Sequence, residues 1–251
     1  MNCLEFDLLE SILYEPPNGF YLLDKHLSRL IKSAIYFSQN PNYEIFKNCT
    51  TEEFRKTVET KLYEHVKELG ENIKQRVRLT VNKDGVVNIT SATLNNLHTP
   101  ALLKEPLRIM LDTTFTSSDN IFLYHKTTNR KTYNEARQHL GLGPIPGTDT
   151  KNNIFDALLF NEKNEITECS ISNIAVEFFD DDGKPFWKTP DVGCGILPGV
   201  MREQLIENGD LIPGVISIEE IKTAQREGRK IKCFNSVRKE FQVVLVDEPL
   251  L

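Results

Sequence analysis

The chain has little sulfur and little tryptophan: among 251 residues there is one Trp, and there are three Met and five Cys. Cys3, Cys49, Cys169, Cys194 and Cys233 are odd in number and widely scattered, with no C-x-x-C pair and no zinc-ligand spacing. That argues against a disulfide framework and a structural zinc site, and for reduced thiols in a cytosolic protein; no metal centre is expected. No apolar run approaches a membrane span, and the acidic opening MNCLEFDLLE lacks the charge and apolar core of a signal peptide. Basic clusters are missing too, and the net charge of −6 argues against a nucleic-acid surface. Internal repeats and low-complexity tracts are absent. What is present, 39% hydrophobic and 26% charged residues, is the composition of a globular chain able to bury a sizeable core in one or two domains.

Local patterns predict the elements. LLESILYE reads as a strand, PPNG as a turn and FYLL as a second short strand. A helix follows, with Asp24 as its N-cap and Leu27, Leu30, Ile31, Ala34 and Ile35 as its apolar stripe. A second helix starts at a Thr50-x-x-Glu53 capping box, carries Phe54, Val58, Leu62, Val66 and Leu69, and stops at Gly70. VRLTV and VVNITSATL form a hairpin around Asn-Lys-Asp-Gly. HTPALLKEP (98–106) reads as a linker. Beyond it come the strand LRIMLDTT, the helix NRKTYNEARQHLG closed by Gly141, and a loop over 141–153. IFDALLF, the segment around Glu168 and FWKT build a sheet, with Asp-Asp-Asp-Gly turning a hairpin at 180–183. A helix runs from Pro198 to Gly209, with proline at its first position. Another is capped by Ser217-x-x-Glu220, and IKCF and VVLV close the chain. The class is α+β, with a small α+β domain over 1–100 and a larger one over 101–251.

The stretch 164–202 carries chemistry. Glu168 precedes an alternating apolar run (Ile171, Ile174, Val176, Phe178), and Leu-Pro-Gly-Val-Met-Arg has the form of a loop entering a helix. A buried carboxylate on a strand accepts a cationic ring. A row of unpaired backbone N–H groups at a helix start accepts a phosphate. Pyridoxal 5'-phosphate carries both a pyridinium nitrogen and a phosphate. Cys169 and Cys194, in the same stretch, read as small buried fillers.

E-x-S-x-x-N from Glu168 to Asn173, then Thr189, then I-L-P-G-V-M-R resemble the class IV aminotransferase signature of fold-type IV pyridoxal-phosphate enzymes. The resemblance spans almost the whole chain, from LLESILYE to FNSVRKEF. It implies a small α+β N-terminal domain, a larger domain with a barrel-like sheet, and a homodimer. It also implies that Lys126, in HKTTNR, holds the cofactor and then serves as general base. Burial lowers a lysine pKa and makes such a role accessible. The rivals Lys131 and Lys151 read as solvated.

Within the family, K-x-x-N-R, the L-E-S opening and GFYLL-x-x-HL-x-RL are similar to the aminodeoxychorismate lyase branch. That branch implies Arg29 and the N–H groups of Gly199, Val200 and Met201 on the phosphate, with Asn235 and Ser236 adding hydrogen bonds. Glu168 pairs with the ring nitrogen. Ser11 stands where the lyases have the threonine of L-E-T, to protonate the leaving group or orient the lysine. Arg130, and after it Arg78 and Arg238, are the candidates for substrate carboxylates. The implied reaction is elimination of pyruvate from 4-amino-4-deoxychorismate to give 4-aminobenzoate for folate synthesis, supplied by an aminodeoxychorismate synthase. A transaminase acting on D- or branched-chain amino acids, and a non-enzymatic partner subunit, stay open as alternatives. Two departures stand out: Met201 replaces a threonine common in transaminases, and the long Lys126–Glu168 interval marks the 141–153 loop as an insertion.

Overall fold

A computed structural model describes residues 5–69, 73–94, 105–144 and 153–247. Most of the expected linker, the Gly70 stop, the middle of the 141–153 loop, Cys3 and Lys151 lie outside the described residues. The chain divides into two compact units, Met1–His98 with His125–Asn129, and Thr99–Tyr124 with Arg130–Leu251.

The first unit is a four-stranded antiparallel sheet in the order β2-β1-β3-β4, from β1 (Leu8–Glu15), β2 (Gly19–Phe20), β3 (Gln75–Val81) and β4 (Val87–Thr93). Two helices accompany it, α1 (Leu23–Gln39) and α2 (Glu52–Lys67). Side chains alternate across a strand, so Glu10 shares a face with the buried Leu8 and Ile12, while Ser11 lies on the other and pairs in register with Arg78.

Both helix starts differ from the sequence pattern. Leu22, in the left-handed region at φ 55, caps α1 without a side-chain hydrogen bond. Asp24 therefore falls inside the first turn, where the helix dipole favours a carboxylate, and accepts from Arg55 at 2.7 Å. The buried face of α1 is rotated accordingly: Ile35 is 37% exposed, whereas Phe37 is fully buried against Phe6, Tyr43 and Phe46. In α2 the cap is Thr51, one residue later than expected, whose hydroxyl accepts from the Phe54 N–H.

The second unit carries β5 (Leu107–Leu111), α3 (Lys131–His139), β6 (Asp156–Phe160), β7 (Ile166–Cys169), β8 (Asn173–Phe179) and β9 (Pro185–Pro190). It continues with α4 (Val200–Glu207), β10 (Ile212–Gly214), α5 (Ile218–Arg226), β11 (Ile231–Asn235) and β12 (Lys239–Val246). The eight strands form one mixed sheet in the order β10-β9-β8-β11-β12-β5-β6-β7. Pairs β10/β9, β12/β5 and β5/β6 are parallel, and the others antiparallel. β7 leads into β8 through a tight turn closed by a bridge between Cys169 and Ser172, so the last strand of the order curls back beside the third.

The continuous apolar run of β6 has the expected cause, burial on both faces. Leu158 joins a core with Ile109, Ile174 and Ile221 of α5, while Ala157 and Leu159 join Tyr133 and Ala136 of α3. The α4 cap is Gly199 and its first residue is Val200, so Pro198 precedes the cap instead of opening the helix. α5 has the capping box read from Ser217 and Glu220. Among the described residues no helix is long and apolar enough to cross a membrane.

Candidate active site

In the first unit, residues 126–128 run beside the start of β1. The Leu9 N–H donates to the Lys126 carbonyl and the Thr128 N–H to the Asp7 carbonyl, each at 2.9 Å, and the Asp7 N–H donates to Thr128 Oγ1 at 2.8 Å. Lys126 is thus fixed by backbone at the level of Leu9, next to Glu10 and Ser11. Beside it, His125 hydrogen-bonds Ser33 Oγ at 3.1 Å and lies against the Tyr36 ring.

Glu10, 1% exposed, organises this corner. Arg29 donates from Nε to Oε1 at 2.9 Å and from Nη2 to Oε2 at 2.5 Å, and His26 Nδ1 lies 2.6 Å from Oε2. Burial alone would raise the Glu10 carboxyl, but the Arg29 and His26 contacts bring it down to about 2. Burial also pushes His26 below its usual range, so the imidazole is neutral at neutral pH and Arg29 is the lasting counter-charge. The Lys126 charge is among the lesser influences lowering His26, which puts the amine in the same electrostatic neighbourhood. Arg29, expected on a phosphate, is held by one edge of its guanidinium on Glu10. Ser11 is partly buried and Arg78 is exposed across from it.

The second unit gathers the rest. Glu168 is 3% exposed at the end of β7. Its Oε1 accepts from Tyr133 Oη at 2.7 Å and from the Leu197 N–H at 2.8 Å, and its Oε2 accepts from Asn173 Nδ2 at 3.1 Å. Asn173 also donates to the Leu197 carbonyl at 3.0 Å, so one amide ties the strand to the loop before α4. A Cβ on Gly199 would come within 2.0 Å of Asn173 Oδ1; only glycine lets this backbone approach. No side chain caps α4, whose first turn holds Val200, Met201 and the buried Arg202. Arg202 Nη2 donates to the Pro190 carbonyl at 2.8 Å, joining α4 to the end of β9. Thr189 is fully buried and donates to the Ile174 carbonyl at 2.8 Å, a bond that ties β9 to β8.

Asn235 donates to the Ile171 carbonyl at 3.1 Å and accepts from the N–H groups of Val237 and Arg238, which shapes the turn holding the buried Ser236. Arg238 lies over the Phe155 ring. Arg130 lies over the Tyr133 ring, 4.9 Å from its centroid, and donates Nη2 to the Ser170 carbonyl at 2.6 Å. Lys131 has a side chain 80% exposed and a loose pairing with Glu135, as befits a solvated lysine. Cys169 and Cys194 are buried, and burial pushes both thiols up, Cys194 to about 11, which leaves them unreactive.

Three residues escaped the sequence pattern. Glu10 and His26 carried a signal only in retrospect, a charge on a buried strand face and an imidazole on an apolar helix stripe. Tyr133 looked like an ordinary core aromatic of α3.

The sequence profile of a family described as amino-transferase class IV matches residues 7–245. A protein of Schizosaccharomyces pombe, named as a candidate aminodeoxychorismate lyase, is 29% identical over 98% of this chain and 92% of its own. A candidate amino-acid aminotransferase from Mesorhizobium loti is similar in structure, with a TM-score of 0.74 and 25% identity, over 96% of this chain and 100% of that one. The pyridoxal-phosphate-bound form of a hypothetical aminotransferase from Mycobacterium tuberculosis shares the fold, with a TM-score of 0.69 and 17% identity, over 98% of this chain and 83% of that one.

Proposed function

The chain belongs to the class IV aminotransferases, and on that premise we propose that it is a pyridoxal-phosphate-dependent 4-amino-4-deoxychorismate lyase that releases 4-aminobenzoate and pyruvate. The observation that carries the cofactor reading is the buried Glu168 carboxylate, held by three donors beside the start of an uncapped helix. An anionic acceptor and a helix-terminal row of N–H groups fit a ring nitrogen and a phosphate, and the glycine-only approach at Gly199 keeps that terminus open. The choice of lyase rests on the near full-length likeness to the Schizosaccharomyces pombe protein.

Bound pyridoxal phosphate supplies a ring that takes up electrons from the carbon bearing the substrate amine. Glu168 would pair with the ring nitrogen and keep it protonated, and the donors from Asn173 and the Leu197 N–H orient the carboxylate for that role. In the second unit the N–H groups of Gly199, Val200 and Met201 would receive the phosphate, with Asn235 and Ser236 adding hydrogen bonds; the family resemblance alone assigns Arg29 of the first unit to the same group. Lys126 would hold the cofactor through Nζ, and as a free amine it would serve as the general base that takes the proton from the carbon bearing the substrate amine. The ether C–O bond on the adjacent carbon then breaks, and the enolpyruvyl oxygen leaves with the bonding pair. Ser11 Oγ hands that oxygen a proton or orients Lys126 Nζ. Loss of one proton and one enolpyruvate leaves an aromatic ring, so the step runs one way. Arg130 is the first candidate for a substrate carboxylate, with Arg78, in register with Ser11, and Arg238 after it.

The test is direct. Purified protein given aminodeoxychorismate is expected to release 4-aminobenzoate and pyruvate in equal amounts with no keto acid added. Borohydride reduction beforehand should fix the cofactor on Lys126 and abolish turnover. A second reading, a transaminase acting on D- or branched-chain amino acids, is favoured by the likeness to the Mesorhizobium loti protein. It replaces the first if no 4-aminobenzoate forms and an amino acid converts the cofactor to an amine form that a keto acid reverses.

A further inference from the structure

Among the donors to Glu168, two come from its own surroundings: Asn173 is the first residue of β8 and Leu197 precedes α4. Tyr133 comes from α3, a separate element, and its ring is 8% exposed in the core beneath β6. A phenylalanine would fill that space equally well, so packing does not account for the hydroxyl. Burial and then the Glu168 charge push the phenol well above its usual range, so it stays a donor at any physiological pH.

The helix is pinned on both sides of this contact. Arg130, three residues earlier, covers the Tyr133 ring and donates to the Ser170 carbonyl. Arg137, four residues later, is 1% exposed and donates to Asp156 Oδ1 at 2.7 Å and to the Gly143 carbonyl at 2.7 Å. Asp156 in turn accepts from Ser170 Oγ and from the N–H groups of Ala157 and Ile171. Residues 130, 133 and 137 share one helix face, so α3 grips the turn after Glu168 and presents one hydroxyl to the carboxylate itself.

We propose that Tyr133 is the positioning residue through which α3 sets the protonation of the cofactor's ring nitrogen. Donation to Oε1 stabilises the ionised carboxylate over the carboxylic acid, so the proton shared between Glu168 and the nitrogen stays on nitrogen. Only a proton is redistributed: without the hydroxyl it moves toward the carboxyl oxygen, and the ring becomes a poorer acceptor of electrons. The proposal rests on the reading of Glu168 as the partner of that nitrogen.

The test loads wild type, Glu168→Gln and Tyr133→Phe with pyridoxal phosphate labelled with 15N at the ring nitrogen. The wild-type resonance is expected at the protonated position and that of Glu168→Gln at the neutral one. Tyr133→Phe should lie displaced toward neutral, with kcat lower by roughly 10-fold and KM little changed, as for loss of one hydrogen bond to a charged group. A Tyr133→Phe resonance identical to wild type, with Glu168→Gln shifted as expected, overturns the role of Tyr133 and leaves that of Glu168 standing. A wild-type resonance at the neutral position overturns the Glu168 reading and this proposal with it. Should Tyr133→Phe not fold, 4-fluorophenylalanine at position 133 keeps the ring and removes only the donor. Its resonance should lie displaced toward neutral, and a resonance identical to wild type overturns the proposal.

Discussion

His125 precedes Lys126 and lies against two rings, Tyr36 at 4.2 Å and Phe37 at 4.9 Å between centroids. Burial in this apolar setting holds its imidazole down to about 4, against 6.5 for the free side chain. A depressed folded-state pKa contributes stability that is complete above the unfolded value and is lost as pH falls through the folded one. The wild-type urea midpoint is therefore expected to fall between pH 7 and pH 5, with about 1–2 kcal/mol traceable to His125 after allowance for its partial exposure. His125→Phe, which keeps the stacking, should flatten that part of the profile; an equally steep profile would refute the assignment. Single residues drew attention where a segment framed them. Lys126 stood out by HKTTNR and Glu168 by the motif it opens, whereas the Glu10–His26–Arg29 cluster did not, because it joins a strand to a helix through register and rotation that no short window contains.

Element starts were the least legible features, and each miss came down to one backbone conformation. Leu22 enters the left-handed region and so displaces Asp24 from the cap of α1. Thr50 and Thr51 both could cap α2, and the extended backbone of Thr51 decides between them. At α4 the cap is the residue that cannot be changed cheaply. Gly199→Ala would force a Cβ against Asn173 Oδ1 and dislodge the amide from Glu168 and Leu197. The expected result is a protein that folds but binds pyridoxal phosphate at least 10-fold more weakly, read by titrating the apoprotein. For α3 the expectation is thermodynamic. Arg137→Met leaves Asp156 buried without its cation, which typically costs about 3–5 kcal/mol. Arg137→Met combined with Asp156→Leu should recover much of that loss in chemical denaturation, since an apolar pair leaves no stranded charge.

At the scale of the whole molecule, alternation, turn signals and capping made the α+β class readable, because these are local properties. Sheet order was not readable. β12 pairs with β5, placing Val243 beside Leu107, and a pairing so distant in sequence leaves no periodic trace. The grouping of residues 125–129 with the first hundred residues was equally hidden. That grouping has a consequence for the chain as it is made. A ribosome delivers residues in order, and the N–H of Leu9 finds its carbonyl only when Lys126 has been added. The first unit must therefore wait, incomplete, while about 30 further residues are synthesised, roughly 2–6 s at common elongation rates. Stalled nascent chains should show this unit resisting protease only after residue 129 has cleared the exit tunnel.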